Sequence, residues 1–121
     1  MISWVAIFVG GGIGSICRYA VSKAVMNLDA AMFPIATLLA NVISCAALAA
    51  TLTYVIPKME GNEWIRPLIV IGFCGGFSTF STFSLETLQL LRAGNFFFAS
   101  VNLIISVALC LTILNFIIRY E

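Results

Sequence analysis

Four apolar runs of membrane-crossing length, joined by three short connections, account for almost all of this 121-residue chain. They lie at about residues 3–26, 34–56, 65–91 and 96–118. A bilayer crossing takes about 20 mainly apolar residues, so each run suffices for one. The connections, Asn27 to Phe33, Pro57 to Trp64 and Arg92 to Asn95, leave no room for a soluble domain. The chain therefore reads as an all-α membrane protein, residues 1–121 forming one domain of four transmembrane helices. Only 9% of its residues are charged, against about 25% in a soluble domain. The first run is too long for a signal-peptide core and lacks a small-residue cleavage site, so it reads as retained. A soluble enzyme is excluded by this hydropathy, and with no histidine there is no visible nucleophile–base pair. A net charge of +1 predicts no nucleic-acid partner. The lipid bilayer is the expected surround.

The side-chain cations divide evenly, three against three. The amino terminus, Lys58, Arg66 and Arg119 fall on one side, and Arg18, Lys23 and Arg92 on the other. Loop Lys/Arg bias is what orients a membrane protein, and here there is almost none. Insertion in both orientations is expected, with an antiparallel two-fold homodimer as the natural assembly. The competing reading is one orientation set by the terminus or by lipid.

The third run is the least ordinary. Gly72 to Ser84 holds three glycines, five hydroxyls and four phenylalanines. Lipid supplies no hydrogen-bond partners, so polar or broken backbone at that depth must face protein or a wet cavity. Paired glycine weakens a helix, so the third helix is expected to break at its centre, around Gly75 to Thr79. A break frees carbonyls, which coordinate cations, and N–H groups, which favour anions. In an antiparallel dimer, two breaks would meet near the axis and their carbonyls could enclose a cation. A glycine-rich packing seam without an ion is the alternative. Beyond the break, Phe80 and Phe83 form an aromatic stripe beside the hydroxyls of Ser81 and Ser84. Ring edges are positive and hydroxyls donate, so both can hold an anion weakly. Weak binding that permits escape suits conduction, and core packing is the other use of such a stripe.

Elsewhere, Gly10 and Gly14 have the spacing of a close helix–helix contact. Arg18, one turn on, either snorkels to the headgroups or draws anions to a pore mouth. Thr37 and Asn41 share a face of the second helix. Asn41 is either an interhelical hydrogen-bond partner or a donor to an anion. Glu86 should approach the far interface near Arg92, in a vestibule or an ion pair. Asn102, Ser106 and Cys110 recur at every fourth residue and form a polar stripe, expected to face the hydroxyls of the third helix. Cys17, Cys45, Cys74 and Cys110 lie about one per run and read as small apolar groups, with a disulfide or metal site as the alternative.

The segment GFCGGFSTFSTFSLE, Gly72 to Glu86, closely resembles the signature of the Fluc family of fluoride channels, also called CrcB proteins. The glycine-rich run leading to Arg18-Tyr19 and the pattern Pro34-x-x-Thr37-Leu38-x-x-Asn41 support it, and the resemblance covers essentially the whole chain. It implies an antiparallel dual-topology homodimer with two fluoride pores. It implies a structural sodium ion at the dimer centre, held by the backbone carbonyls of Gly75 and Ser78. Phe80 and Phe83 would line the pores with Asn41 beside them. Ser81, Thr82 and Ser84 would supply a hydroxyl track, and Arg18 would lie at a vestibule. The implied physiology is passive fluoride export from the cytoplasm across the inner or plasma membrane. The chain departs from the family pattern at Ala36, often Gly, and at Ser78, often Thr. The Asn102 position varies and can be aromatic. A proton-coupled small multidrug transporter would need a carboxylate deep in the first run, which has no Asp or Glu. A non-transporting membrane subunit is the third possibility, and it predicts indifference to loss of Phe80 or Phe83.

Overall fold

The computed structural model describes residues 1–26 and 34–119, so the connection Asn27 to Phe33 lies outside the described residues. Helix α1 spans Ile2–Met26 and α2 spans Ile35–Ala50. The second run continues without a gap through a π turn, Thr51–Val55, and a 3-10 turn, Ile56–Lys58. After a turn in which Gly61 takes φ 92°, a π segment at Pro67–Phe73 leads into α3, Cys74–Phe77. Helix α4 spans Phe80–Arg92 and α5 spans Phe96–Arg119. Four helical runs are thus long and apolar enough to cross a membrane: Ile2–Val25, Ile35–Lys58, Pro67–Arg92 and Phe96–Ile118. The protein is an all-helical, multi-pass membrane protein.

Local sequence explains where these helices start and stop. Pro34 precedes α2 and Pro67 opens the π segment, positions where a missing N–H is least costly. At the end of α4, Gly94 takes φ 80°. Asn95 N–H then reaches the Leu90 carbonyl at 2.9 Å and Gly94 N–H the Leu91 carbonyl at 3.1 Å. This is the Schellman pattern, whose left-handed residue favours glycine. It returns the chain into α5 within three residues.

Between α3 and α4, Ser78 (φ −79°, ψ 155°) and Thr79 (φ −150°, ψ 121°) are extended. The paired glycines just before them are helical, and neither has a positive φ. Gly76 serves close approach instead. A Cβ there would sit 2.5 Å from the Gly11 carbonyl, and one on Gly72 would sit 2.9 Å from the Ile7 carbonyl. On the other side of the seam, a Cβ on Gly10 would strike the Leu68 carbonyl and one on Gly14 the Phe73 carbonyl. Gly72 thus lies against Gly10, Gly76 against Gly11, and Gly14 against the main chain of Phe73 and Phe77, so that two small-xxx-small stretches let main chain touch main chain.

Candidate functional site

Asn41 holds the extended pair in place. The Thr79 N–H donates to Asn41 Oδ1 at 2.8 Å, and Asn41 Nδ2 donates to the Thr79 carbonyl at 3.4 Å. A backbone N–H can only donate, so the first bond fixes which way the amide faces. The side chain thus acts as a neighbouring strand would, pairing with both polar groups of one extended residue. Its amide has a second N–H, for which the described residues give no partner. The Thr79 side chain caps α4, accepting from Thr82 N–H at 3.3 Å and donating to Thr82 Oγ1 at 3.2 Å. Such a cap satisfies one of the free N–H groups at a helix start.

The carbonyl side of the interruption is unevenly served. The Cys74 carbonyl accepts from Ser78 N–H at 3.0 Å, Ser78 Oγ at 2.7 Å and Ser44 Oγ at 3.0 Å. Because Thr79 N–H turns to Asn41, the Gly75 carbonyl loses the donor that a continuing helix would give it. Gly75 is exposed, and a Cβ added there would meet nothing within 4 Å.

Beside the interruption lies an open groove with a cavity of about 330 Å³. Asn41, Ser78, Thr79, Phe80, Phe83 and Ser106 line it, with Cys45 and Cys110 a turn further along. Phe83 is only 8% exposed while Phe80 is 79% exposed. Their ring centroids lie 5.9 Å apart at 41°. Of the residues expected to act together, the groove gathers Asn41, Ser78, Phe80, Phe83 and Ser106.

The remaining candidates lie elsewhere. Ser81, Thr82 and Ser84 are exposed on the outer face of α4. The stripe on α5 does not meet them. Asn102, 1% exposed, donates to Thr87 Oγ1 at 3.0 Å and accepts from Ser106 Oγ at 3.4 Å. The reason is rotational: α4 turns Phe83 and Thr87 inward, both buried, and so turns Ser84 outward. Glu86 is half-buried, and its Oε1 accepts from Thr37 Oγ1 at 2.8 Å. Its Oε2 is buried without a hydrogen-bond partner among the described residues. Arg18 is half-buried on α1 and does not line the groove.

Thr79, Thr87 and Ser44 were not singled out as functional by their sequence context. Thr79 had a signal, a hydroxyl three residues ahead of Thr82 at a helix start. Thr87 offered only its spacing of four from Phe83. Thr87→Val keeps the shape but removes the acceptor of the buried Asn102 amide. An unsatisfied buried polar group costs about 1–3 kcal/mol, so the melting temperature in detergent should fall. An unchanged value would show that Asn102 has another partner.

Residues 5–117 match the family described as CrcB-like protein, Camphor Resistance (CrcB). A protein of Coxiella burnetii called fluoride-specific ion channel FluC is 41% identical over 106 residues, 87% of this chain and 86% of that one. Its namesake from Paramagnetospirillum magneticum is 42% identical over 114 residues, 92% and 88% of the two chains. The namesake from Ruminiclostridium cellulolyticum is 38% identical over 112 residues, 93% and 86%. These relatives are named as ion channels, not enzymes. Matched over residues 5–117 and 38–42% identical to these relatives over most of its length, this chain belongs to the CrcB-like family, that of the fluoride-specific ion channels.

Proposed function

We propose that this protein is a passive, fluoride-selective channel that lets fluoride leave the cytoplasm down its electrochemical gradient, in the inner or plasma membrane. The observation that carries the reading is the groove beside Ser78 and Thr79. It offers the Asn41 amide, the hydroxyls of Ser78 and Ser106, and the rings of Phe80 and Phe83 to one small volume. The spare Asn41 N–H is a neutral donor and the ring edges are positive, so together they replace part of an anion's hydration without trapping it; the Ser78 and Ser106 hydroxyls, which donate to the Cys74 carbonyl and to Asn102 Oδ1, would turn to join them. The third crossing is then one interrupted helix, Pro67 to Arg92, with the interruption at Ser78 and Thr79.

Assembly as an antiparallel homodimer of dual topology is supported by what the lone chain leaves open. The hydroxyls of Ser81, Thr82 and Ser84 face outward at membrane depth, where lipid gives them no partners. A second copy covers them and closes the groove, and the near-equal cation count lets the two copies insert oppositely. In that assembly Ser81, Thr82 and Ser84 continue the hydroxyl track, and Glu86 and Arg18 stand towards the mouths. The freed Gly75 carbonyl and the extended Ser78 fit a hard monovalent cation, since uncharged carbonyl oxygens at an unwound helix coordinate sodium. Gly75 and Ser78 of each copy would hold that ion, which supplies positive charge to lock the two interruptions together.

The test is fluoride efflux from potassium-loaded liposomes containing the purified protein, started by a potassium ionophore. Rapid fluoride release without chloride release is expected. Retention of fluoride would overturn the reading.

A further inference from the structure

Two thiols occupy the stretch of the groove beyond its amide and hydroxyl. Cys45 follows Asn41 by four residues on α2, and Cys110 follows Ser106 by four on α5. Residues four apart on a helix share a face. Asn41 and Ser106 therefore form one rung of the groove wall, and two sulfurs form the next. Both cysteines line the cavity, and both are half-buried free thiols. Cys45 and Cys110 thus reach the same cavity from two different helices. Cys74 is buried and absent from the groove wall. Among the described residues no cluster of three His, Cys, Asp or Glu side chains gathers. The site is thus a pair of soft donors with no third soft ligand.

Thiolate sulfur selects soft cations over hard ones. Monovalent ions with a filled d shell are content with two sulfur ligands in a line, one from each facing helix. We propose that Cys45 and Cys110 form a two-coordinate site for a soft monovalent cation of the cuprous and silver class, and that a cation bound there closes the fluoride path. The blocking part rests on the groove being that path; the binding part does not.

The chemistry balances without an oxidant. Each thiol gives up one proton to solvent, two metal–sulfur bonds form, and no electron is transferred. Two thiolates and one monovalent cation leave a net charge of −1. That charge sits one helical turn from the Asn41 amide, in a groove where an anion must shed water. It repels fluoride, and the bound metal fills part of the space. Fluoride, a hard ligand, does not compete for the soft cation.

The experiment uses silver nitrate as the probe in chloride-free buffer. In native mass spectra of the wild-type protein, one silver per chain is expected. Cys45→Ser and Cys110→Ser should each abolish that silver, and Cys17→Ser should retain it. Silver should also protect Cys45 and Cys110 together from alkylation in the wild-type protein, a readout that needs no variant to fold. In liposomes, silver should stop wild-type fluoride efflux, an excess of small dithiol should restore it, and the efflux of either serine variant, whatever its rate, should be the same with and without silver. Silver retained by either serine variant, or alkylation of both thiols at saturating silver, overturns the site. Silver bound as expected with efflux undiminished overturns the block. Wild-type protein that never releases fluoride sinks the channel reading instead, and the silver stoichiometry still decides the site.

Discussion

Asn41→Ala should both destabilise the protein and remove most of its fluoride flux. The side chain is the hydrogen-bond partner of Thr79 N–H and, more weakly, of the Thr79 carbonyl. Alanine leaves that N–H, at an extended residue inside a membrane-crossing run, with nothing to pair with. Orphaning one such group costs about 1–3 kcal/mol. The same change removes a donor from the groove. Hydrogen bonds to charged groups are worth about 1.5–3 kcal/mol, and each 1.4 kcal/mol is about tenfold, so efflux should slow by at least about tenfold. Asn41→Asp separates the two roles. A carboxylate still accepts from Thr79 N–H but presents an anion to an anion, so flux should stay low. Native efflux in Asn41→Ala would remove Asn41 from the conduction path.

Gly14→Ala should have the larger effect on folding. Its new Cβ would strike the Phe73 carbonyl and lie 2.9 Å from the Phe77 N, both backbone atoms that cannot rotate aside. Either α1 or the third run must shift, and overpacking of this kind costs about 1–3 kcal/mol or more. The folded peak on size exclusion in detergent should shrink sharply, with a lowered melting temperature. Gly12→Ala is the control, because a Cβ there meets nothing within 4 Å. Equal yields for the two variants would mean that α1 does not dock on Phe73 and Phe77.

Much of the fold was legible because membrane crossing is a matter of length and polarity. The four runs announce themselves through hydropathy, and the glycine spacing of the first announces a contact. The partner of that contact was hidden. Gly72 and Gly76 have the same spacing, but the neighbouring Gly75-Gly76 pair suggested loosened backbone. Glycine's lack of a Cβ serves close approach as well as freedom of φ, and spacing does not say which. In the site, Asn41 was legible as a polar group needing a partner. Its partner, the backbone of Thr79, was not, since no side-chain pattern marks it. The faces of the third run were harder still. The π segment at Pro67–Phe73 and the extended residues Ser78 and Thr79 each reset the rotation of the helix beyond them. Matching polar stripe to polar stripe paired Asn102 with the outward hydroxyls rather than with Thr87. Contacts that a second copy would make leave no trace in the spacing of one chain.

The glycine seam divides this molecule by stiffness. Upstream of Ser78, the third run is laid main chain to main chain on α1, where there is no side chain to repack and hence no intermediate arrangement. Downstream, α4 is fastened by single latches: Thr37 to Glu86, Asn102 to Thr87, and Asn41 at its root. Latches open one at a time, whereas a welded joint does not. α4 is thus the less rigidly held part of the bundle, and α1 with the glycine-rich stretch packed on it is the stiffer frame.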